Sequence, residues 1–109
     1  MMATAAELFG ERVRTARKAA KLTLEEAAEK AHIHLNHLSQ IERGTRRPSF
    51  ELIFDLARVL RVPVFNLFVF ESEETDAKTL RRRVNSMLEN YTVEELLQVY
   101  RYLKFVVHP

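Results

Sequence analysis

The sequence of 109 residues contains no cysteine, only two glycines and three prolines, and no long apolar run. The lack of cysteine excludes disulfide scaffolds and thiolate metal sites. Because no run approaches the roughly 20 apolar residues of a membrane span, and no signal-peptide pattern is present, we expect a cytoplasmic protein. All-β folds need many turns, and the scarcity of glycine and proline therefore argues against them.

Residues that favour helix dominate instead, which predicts an all-α fold. Three capping-box patterns mark helix starts, at Thr4-x-x-Glu7, Thr23-x-x-Glu26 and Thr92-x-x-Glu95. Apolar residues then recur with helical spacing. The predicted helices span residues 5–20, 24–31, 35–43, 50–60, 63–69, 76–90 and 93–107.

A polar, acidic stretch at residues 71–76 predicts a boundary between a domain at 1–70 and a helical tail at 71–109. The first 70 residues carry 11 Lys and Arg against 8 Asp and Glu, whereas the tail carries 6 against 7. The basic excess thus lies in the larger domain, as expected if that domain meets phosphate groups.

The second and third predicted helices have the layout of a helix-turn-helix. Two short helices joined by three or four residues cross steeply, and Ala28 supplies the small residue that this crossing needs. Leu38 and Ile41 provide the apolar inner face of the third helix. Polar residues remain on its outer face, where they can reach the edges of DNA bases: Asn36, His37, Ser39 and Gln40.

Several stretches resemble the Cro/C1-type (XRE) helix-turn-helix family, which includes the lambdoid phage repressors. They are LTLEEAAEKA (residues 22–31), IERG (41–44), RPS (47–49), LARVLRV (56–62) and LF (67–68). The resemblance covers about residues 6–69 and implies a five-helix lambda-repressor-like DNA-binding domain, followed here by a two-helix hairpin.

The resemblance implies a role for individual residues. Base contacts would come from Leu35, Asn36, His37 and Gln40 in the major groove. Phosphate contacts would come from Arg43, Thr45, Arg46 and Arg47. Arg17 and Glu42 would form a structural ion pair. Alternatively, the arginines form an ordinary solvated loop, and Asn36 and Gln40 are surface residues without a partner.

The sequence departs from the family pattern at two turns, where His32 and Arg61 stand in place of glycine. Histidine is among the residues that tolerate a positive φ, so the first turn remains possible. In the helix at 50–60 we expect one buried stripe, formed by Phe50, Ile53, Leu56, Ala57 and Leu60. Leu52, Phe54 and Phe65 are apolar where the family normally faces solvent, which makes them candidate contacts for the tail.

The histidines at 32, 34 and 37 do not predict a metal site, because metal-ligating nitrogens must converge and need supporting acceptors. We expect no metal and no cofactor. A histidine near phosphate gains charge below about pH 6.5, so DNA binding is expected to be tighter at pH 6 than at pH 8. No glycine-rich phosphate loop and no catalytic arrangement of side chains is evident, so the protein is not expected to be an enzyme.

Each helix of the tail has an apolar face that a hairpin this small cannot bury alone. The predicted interface of a homodimer consists of Leu96, Tyr100, Leu103 and Val107. The expected partner is double-stranded DNA with a palindromic operator, and the short chain favours a repressor over an activator. The alternative is an antitoxin or another regulator whose C-terminal helices bind a different protein.

Overall fold

The computed structural model describes residues 3–70 and 76–107. Its α-helices are α1 (Ala5–Ala19), α2 (Leu24–Lys30), α3 (Leu35–Glu42), α4 (Phe50–Leu60), α5 (Ala77–Leu88) and α6 (Val93–Tyr102). A 3₁₀ helix spans Val64–Phe68, and a π-helical segment spans Leu103–Val107. The predicted all-α fold is confirmed, although the helix expected at 63–69 is of the 3₁₀ type and the one expected at 93–107 ends in π-helical geometry.

The chain divides into two compact units, Met1–Phe70 and Glu71–Pro109, called here the N-terminal unit and the tail. Most of the acidic stretch predicted as the boundary, residues 71–75, lies outside the described residues. In the described part of the chain, no helix is long and apolar enough to cross a bilayer.

All three predicted capping boxes are present. In each one the threonine hydroxyl accepts a hydrogen bond from the glutamate N–H, and the glutamate carboxylate accepts one from the threonine N–H. These hydrogen bonds lower the pKa of Glu7, Glu26 and Glu95 from its usual value. Each box thereby satisfies backbone donors that the helix itself leaves unpaired.

The hydrophobic core lies in the N-terminal unit and joins α1, α2, α3, α4 and the 3₁₀ helix. Its fully buried side chains with the largest volumes are Leu38, Ile41, Leu56, Leu67 and Val13. A bifurcated contact closes one edge of the unit: the Arg12 guanidinium donates to the side-chain and backbone oxygens of Asn66. The contact ties α1 to the 3₁₀ helix.

The predicted stripe of α4 is partly wrong. Leu52, expected at the surface, is only 5% exposed and belongs to the core, whereas Phe50, expected in the stripe, is 53% exposed. Phe50 instead packs edge-on against Phe54, with 5.0 Å between ring centroids. Because α4 carries apolar residues on nearly every side, helical periodicity alone could not determine which side is buried.

Four helix ends in the N-terminal unit are closed by one residue with a positive φ. These residues are Lys21, His32, Gly44 and Arg61, so three of the four are not glycine. Both predicted departures from glycine, His32 and Arg61, adopt φ 58°. In each case the next N–H bonds a carbonyl five residues earlier, as Ile33 does to Ala28 and Val62 to Ala57. This Schellman pattern offsets the cost of a left-handed residue, about 1–2 kcal/mol.

The tail is built differently, because neither α5 nor α6 contains a buried residue. Large apolar side chains remain substantially exposed along both helices. On α6 and the π-helical segment they include all four residues of the predicted dimer interface. The tail therefore has helix caps but no core among its described residues.

Candidate nucleic-acid interface

α2 and α3 form a tight helix-turn-helix. α2 ends at Lys30 with Ala31 as its C-cap, and the left-handed His32 turns the chain so that α3 can begin at Leu35. The His32 N–H donates to the Glu29 carbonyl over 3.1 Å, and the Ile33 N–H donates to the Ala28 carbonyl over 3.0 Å. The turn thus satisfies two of the carbonyls that α2 leaves free at its end.

Small and aliphatic side chains fill the space between the two helices. Ala27 and Ala28 of α2 are buried, as are Leu38 and Ile41 of α3. The predicted small residue at the crossing is thus present, and the apolar side of α3 is fully used. The opposite side of α3 must therefore face outward.

α3 presents the four predicted base-contacting residues to different extents. Leu35 and Asn36 are exposed, whereas His37 and Gln40 are half-buried. Asn36 has an amide that can pair bidentately with adenine, and Leu35 can contact a thymine methyl group. The side chains that could read bases thus begin at the N-terminal end of α3, the end that enters the groove in this class of domain.

An exposed loop follows α3 directly and contains the four predicted phosphate-contacting residues. Gly44 turns the chain with φ 76°. The Thr45 hydroxyl donates to the Gln40 carbonyl over 3.2 Å, and the Arg43 Nε donates to the Ser39 carbonyl over 3.3 Å. These bonds fix the start of the loop to the end of α3. Arg46 and Arg47 are exposed farther along the loop.

The loop also changes the electrostatics of α3. The pKa of His37 lies below its usual value, mainly because burial disfavours the charged imidazole, and further because the cationic Arg46 is nearby. His37 is therefore neutral at neutral pH in the free protein. Within the described residues, no group of three or more potential ligands gathers as a metal site would require.

Known proteins match this chain over the helices described above. A helix-turn-helix family model, HTH_3, matches residues 13–66. The regulator ImmR of Bacillus subtilis is 33% identical over 93 residues, which are 82% of this chain and 72% of ImmR. This chain belongs to the Cro/C1-type (XRE) helix-turn-helix family. It carries a DNA-binding domain of the kind found in transcriptional regulators.

Two further matches show how far the likeness extends for this XRE-family protein. The transcriptional regulator ClgR of Mycobacterium tuberculosis is 38% identical over 64 residues, and this chain spans only 57% of its length. A solved SinR protein/SinI protein complex matches with a TM-score of 0.56 and 28% identity, covering 89% of this chain and 95% of that one. The matched family region stops at residue 66, before the tail begins.

Arg17 and Glu42 of this XRE-family protein lie together beneath the interface. The Arg17 Nε and a Glu42 carboxylate oxygen are 2.7 Å apart, and a second bond of 3.1 Å makes the pair bidentate. A third bond joins Arg17 to the Leu22 carbonyl over 2.9 Å. The hydrogen bond to Glu42 raises the pKa of Arg17. The pair attaches the last residue of α3 to α1.

Sequence reasoning missed a second link between these helices, at Gly10. A Cβ added to Gly10 would lie less than 3 Å from the backbone carbonyls of Ile41 and Glu42. Only glycine lets α1 come this close to the end of α3. A single glycine inside a helical pattern can signal such a close approach, and this signal was available in the sequence.

Proposed function

We propose that this XRE-family protein is a sequence-specific transcriptional regulator that acts as a repressor, with α3 lying in the major groove of its operator. One observation carries the proposal: the apolar side of α3 is buried, its first two residues are exposed, and an arginine-rich loop directly follows the helix. Leu35, Asn36, His37 and Gln40 read bases. Arg43, Thr45, Arg46 and Arg47 hold phosphates and set the position of the helix without reading sequence.

The second part of the proposal is a homodimer. Residues 1–70 bind DNA, and residues 71–109 join two copies through Leu96, Tyr100, Leu103 and Val107. A two-fold dimer places two recognition helices about 34 Å apart, which matches half-sites separated by one turn of DNA. The exposure of all four apolar side chains supports this role. The double variant Leu96→Asp/Leu103→Asp should be monomeric in sedimentation, and a variant that stays dimeric would place the interface elsewhere.

Selection of bound duplexes from a random DNA pool tests sequence reading. The wild-type chain should enrich a palindromic sequence at near-physiological salt. Asn36→Ala should lose discrimination at one position in each half-site, by about 1–3 kcal/mol for a bidentate pair. Asn85→Ala makes the same chemical change at an exposed position of α5 and should leave the selected sequence unaltered. Salt-sensitive retention without an enriched sequence would contradict the proposal.

A second candidate function is the binding of another protein by the tail, as in an antitoxin. The exposed apolar residues of α5 and α6 favour it, since such surfaces are typical of interaction sites. Co-purification of an untagged partner, lost in Leu96→Asp/Leu103→Asp, would support this function. In that case DNA binding would serve mainly the regulation of the protein's own gene.

A further inference from the structure

The segment from Val93 to Val107 has two apolar sides that differ in exposure. Leu96, Tyr100, Leu103 and Val107 are 40%, 50%, 44% and 46% exposed, and we call them the seam. Val99, Tyr102 and Val106 lie on another side and are half-buried. The seam residues are spaced by four, three and four positions, which is the heptad spacing of helices that pair along their length.

Charge is distributed unevenly along this segment. Glu94 and Glu95 occupy the first turn of α6, whereas Arg101 and Lys104 lie at its far end. The Glu95 carboxylate accepts a hydrogen bond from the Thr92 N–H, which fixes negative charge at the start of the helix. The Lys104 Nζ lies 5.9 Å from the centroid of the Tyr100 ring, which places positive charge beside the seam.

We infer that the seam pairs with the seam of a second copy of this chain in antiparallel orientation. In the register that buries all four residues, Leu96 of one copy meets Val107 of the other, and Tyr100 meets Leu103. This inference rests on the proposed dimer and adds its direction and register. It follows from charge complementarity along the segment.

Antiparallel pairing places the acidic first turn of each copy beside the basic end of the other, and the helix dipoles then oppose each other. Parallel pairing would instead gather both acidic first turns at one end of the pair and both basic ends at the other. It would also stack Tyr100 on Tyr100 in one layer, where both hydroxyls need a route to water. The antiparallel arrangement packs each tyrosine against a leucine instead.

The absence of native cysteine makes this arrangement testable by disulfide formation in the full chain. Leu96→Cys and Val107→Cys are oxidised separately and then as an equal mixture after subunit exchange. The two positions are about 16.5 Å apart along the helix, whereas a disulfide needs Cα atoms within about 7 Å. We expect covalent dimers in the mixture and almost none in either variant alone. Ser86→Cys on α5 is the control for random collision, and circular dichroism checks that each variant stays helical.

Efficient self-linking of both single variants would show parallel pairing and overturn the inference while leaving the proposed dimer intact. A dimer in sedimentation that forms no link in the mixture would place the interface away from the seam and also overturn it. A monomeric wild-type chain would overturn both the inference and the proposed dimer. Selection of bound duplexes would still test sequence-specific DNA binding by that monomer. Failure of the dimer can therefore be distinguished from failure of the proposed DNA binding.

Discussion

The two units of this protein use similar helices in opposite ways. In the N-terminal unit, four α-helices and a 3₁₀ helix share a core of fully buried side chains. In the tail, α5 and α6 are capped at their starts by Asp76 and Thr92, yet neither contains a buried residue. Caps set where a helix begins, but burial supplies most of its stability. The first unit has its own source of stability, whereas the described residues of the tail form no such core.

The largest expected difference between the units lies in matched leucine truncations. Leu56 is fully buried in α4, whereas Leu97 in α6 is 43% exposed. Leu56→Ala should lower the free energy of unfolding by about 2–5 kcal/mol, since it removes packed methyl groups and leaves a cavity. Leu97→Ala should change it by no more than about 0.5 kcal/mol. Urea unfolding at low protein concentration measures the free energy of unfolding of both variants. Equal losses in the two variants would contradict the expected difference between the units.

Two arginines of the N-terminal unit form ion pairs that differ in burial. Arg17 and its partner Glu42 have side chains only 12% and 7% exposed, whereas Arg58 and Asp55 are 64% and 45% exposed. Arg17→Ala leaves a carboxylate without its partner in a mostly buried site and should cost about 3 kcal/mol. Arg58→Ala should cost no more than about 1 kcal/mol. Thermal unfolding of both variants tests this, and similar melting temperatures would contradict it.

Two capping boxes allow the same chemical change in each unit. Thr23→Ala and Thr92→Ala each remove a hydroxyl that accepts from a helix N–H, at 3.0 Å and 3.2 Å. Each should weaken its own helix by about 1 kcal/mol. Only Thr23→Ala should lower the free energy of unfolding of the N-terminal unit. Hydrogen exchange should locate the second within α6, and a loss of protection across the whole chain would show that the units unfold together.

The smallest expected effect is that of pH. The pKa of His37 is lowered in the folded protein, so its contribution to stability is complete above the unfolded value, about pH 6.5, and is lost as pH falls through the folded value. Contact with DNA phosphate would raise that pKa, so binding takes up a proton. Affinity should therefore increase moderately from pH 8 to pH 6, because the complex would bind one more proton than the free protein and DNA do.

Titrations at fixed salt with wild type and His37→Gln measure this effect, which the variant should lack. An unchanged DNA affinity in the wild-type chain would contradict proton uptake at His37.

The sequence predicted the helices well because their starts carry chemical signals. Thr4, Thr23 and Thr92 each precede a glutamate by three positions, and all three open a helix as expected. The left-handed turns at His32 and Arg61 lie where the family resemblance has glycine, and the tolerance of histidine for a positive φ was expected at the first of them. Lys21, which closes α1 in the same way, was not anticipated, since lysine carries no local signal for a left-handed conformation.

The features that the sequence did not predict depend on contacts between helices. Leu52 and Phe50 exchanged their expected positions, since the burial of α4 is decided by its neighbours and not by its own pattern. The contact of Arg12 with Asn66 joins residues 54 positions apart and has no local signature. The predicted DNA contacts remain predictions, because an exposed asparagine or arginine looks the same with or without a ligand.

The attachment of α3 to α1 affects how much conformational freedom α3 would lose on binding DNA. Gly10 and Arg17 both hold the C-terminal end of α3, through its backbone and through Glu42. The orientation of α3 is therefore set when the chain folds, so the helix itself has little freedom left to lose on binding. Preorganisation of this kind improves affinity without adding a contact. If α3 lies in the major groove as proposed, substitutions at Gly10 or Arg17 should weaken DNA binding from a distance, because they would loosen the attachment that fixes the orientation of α3.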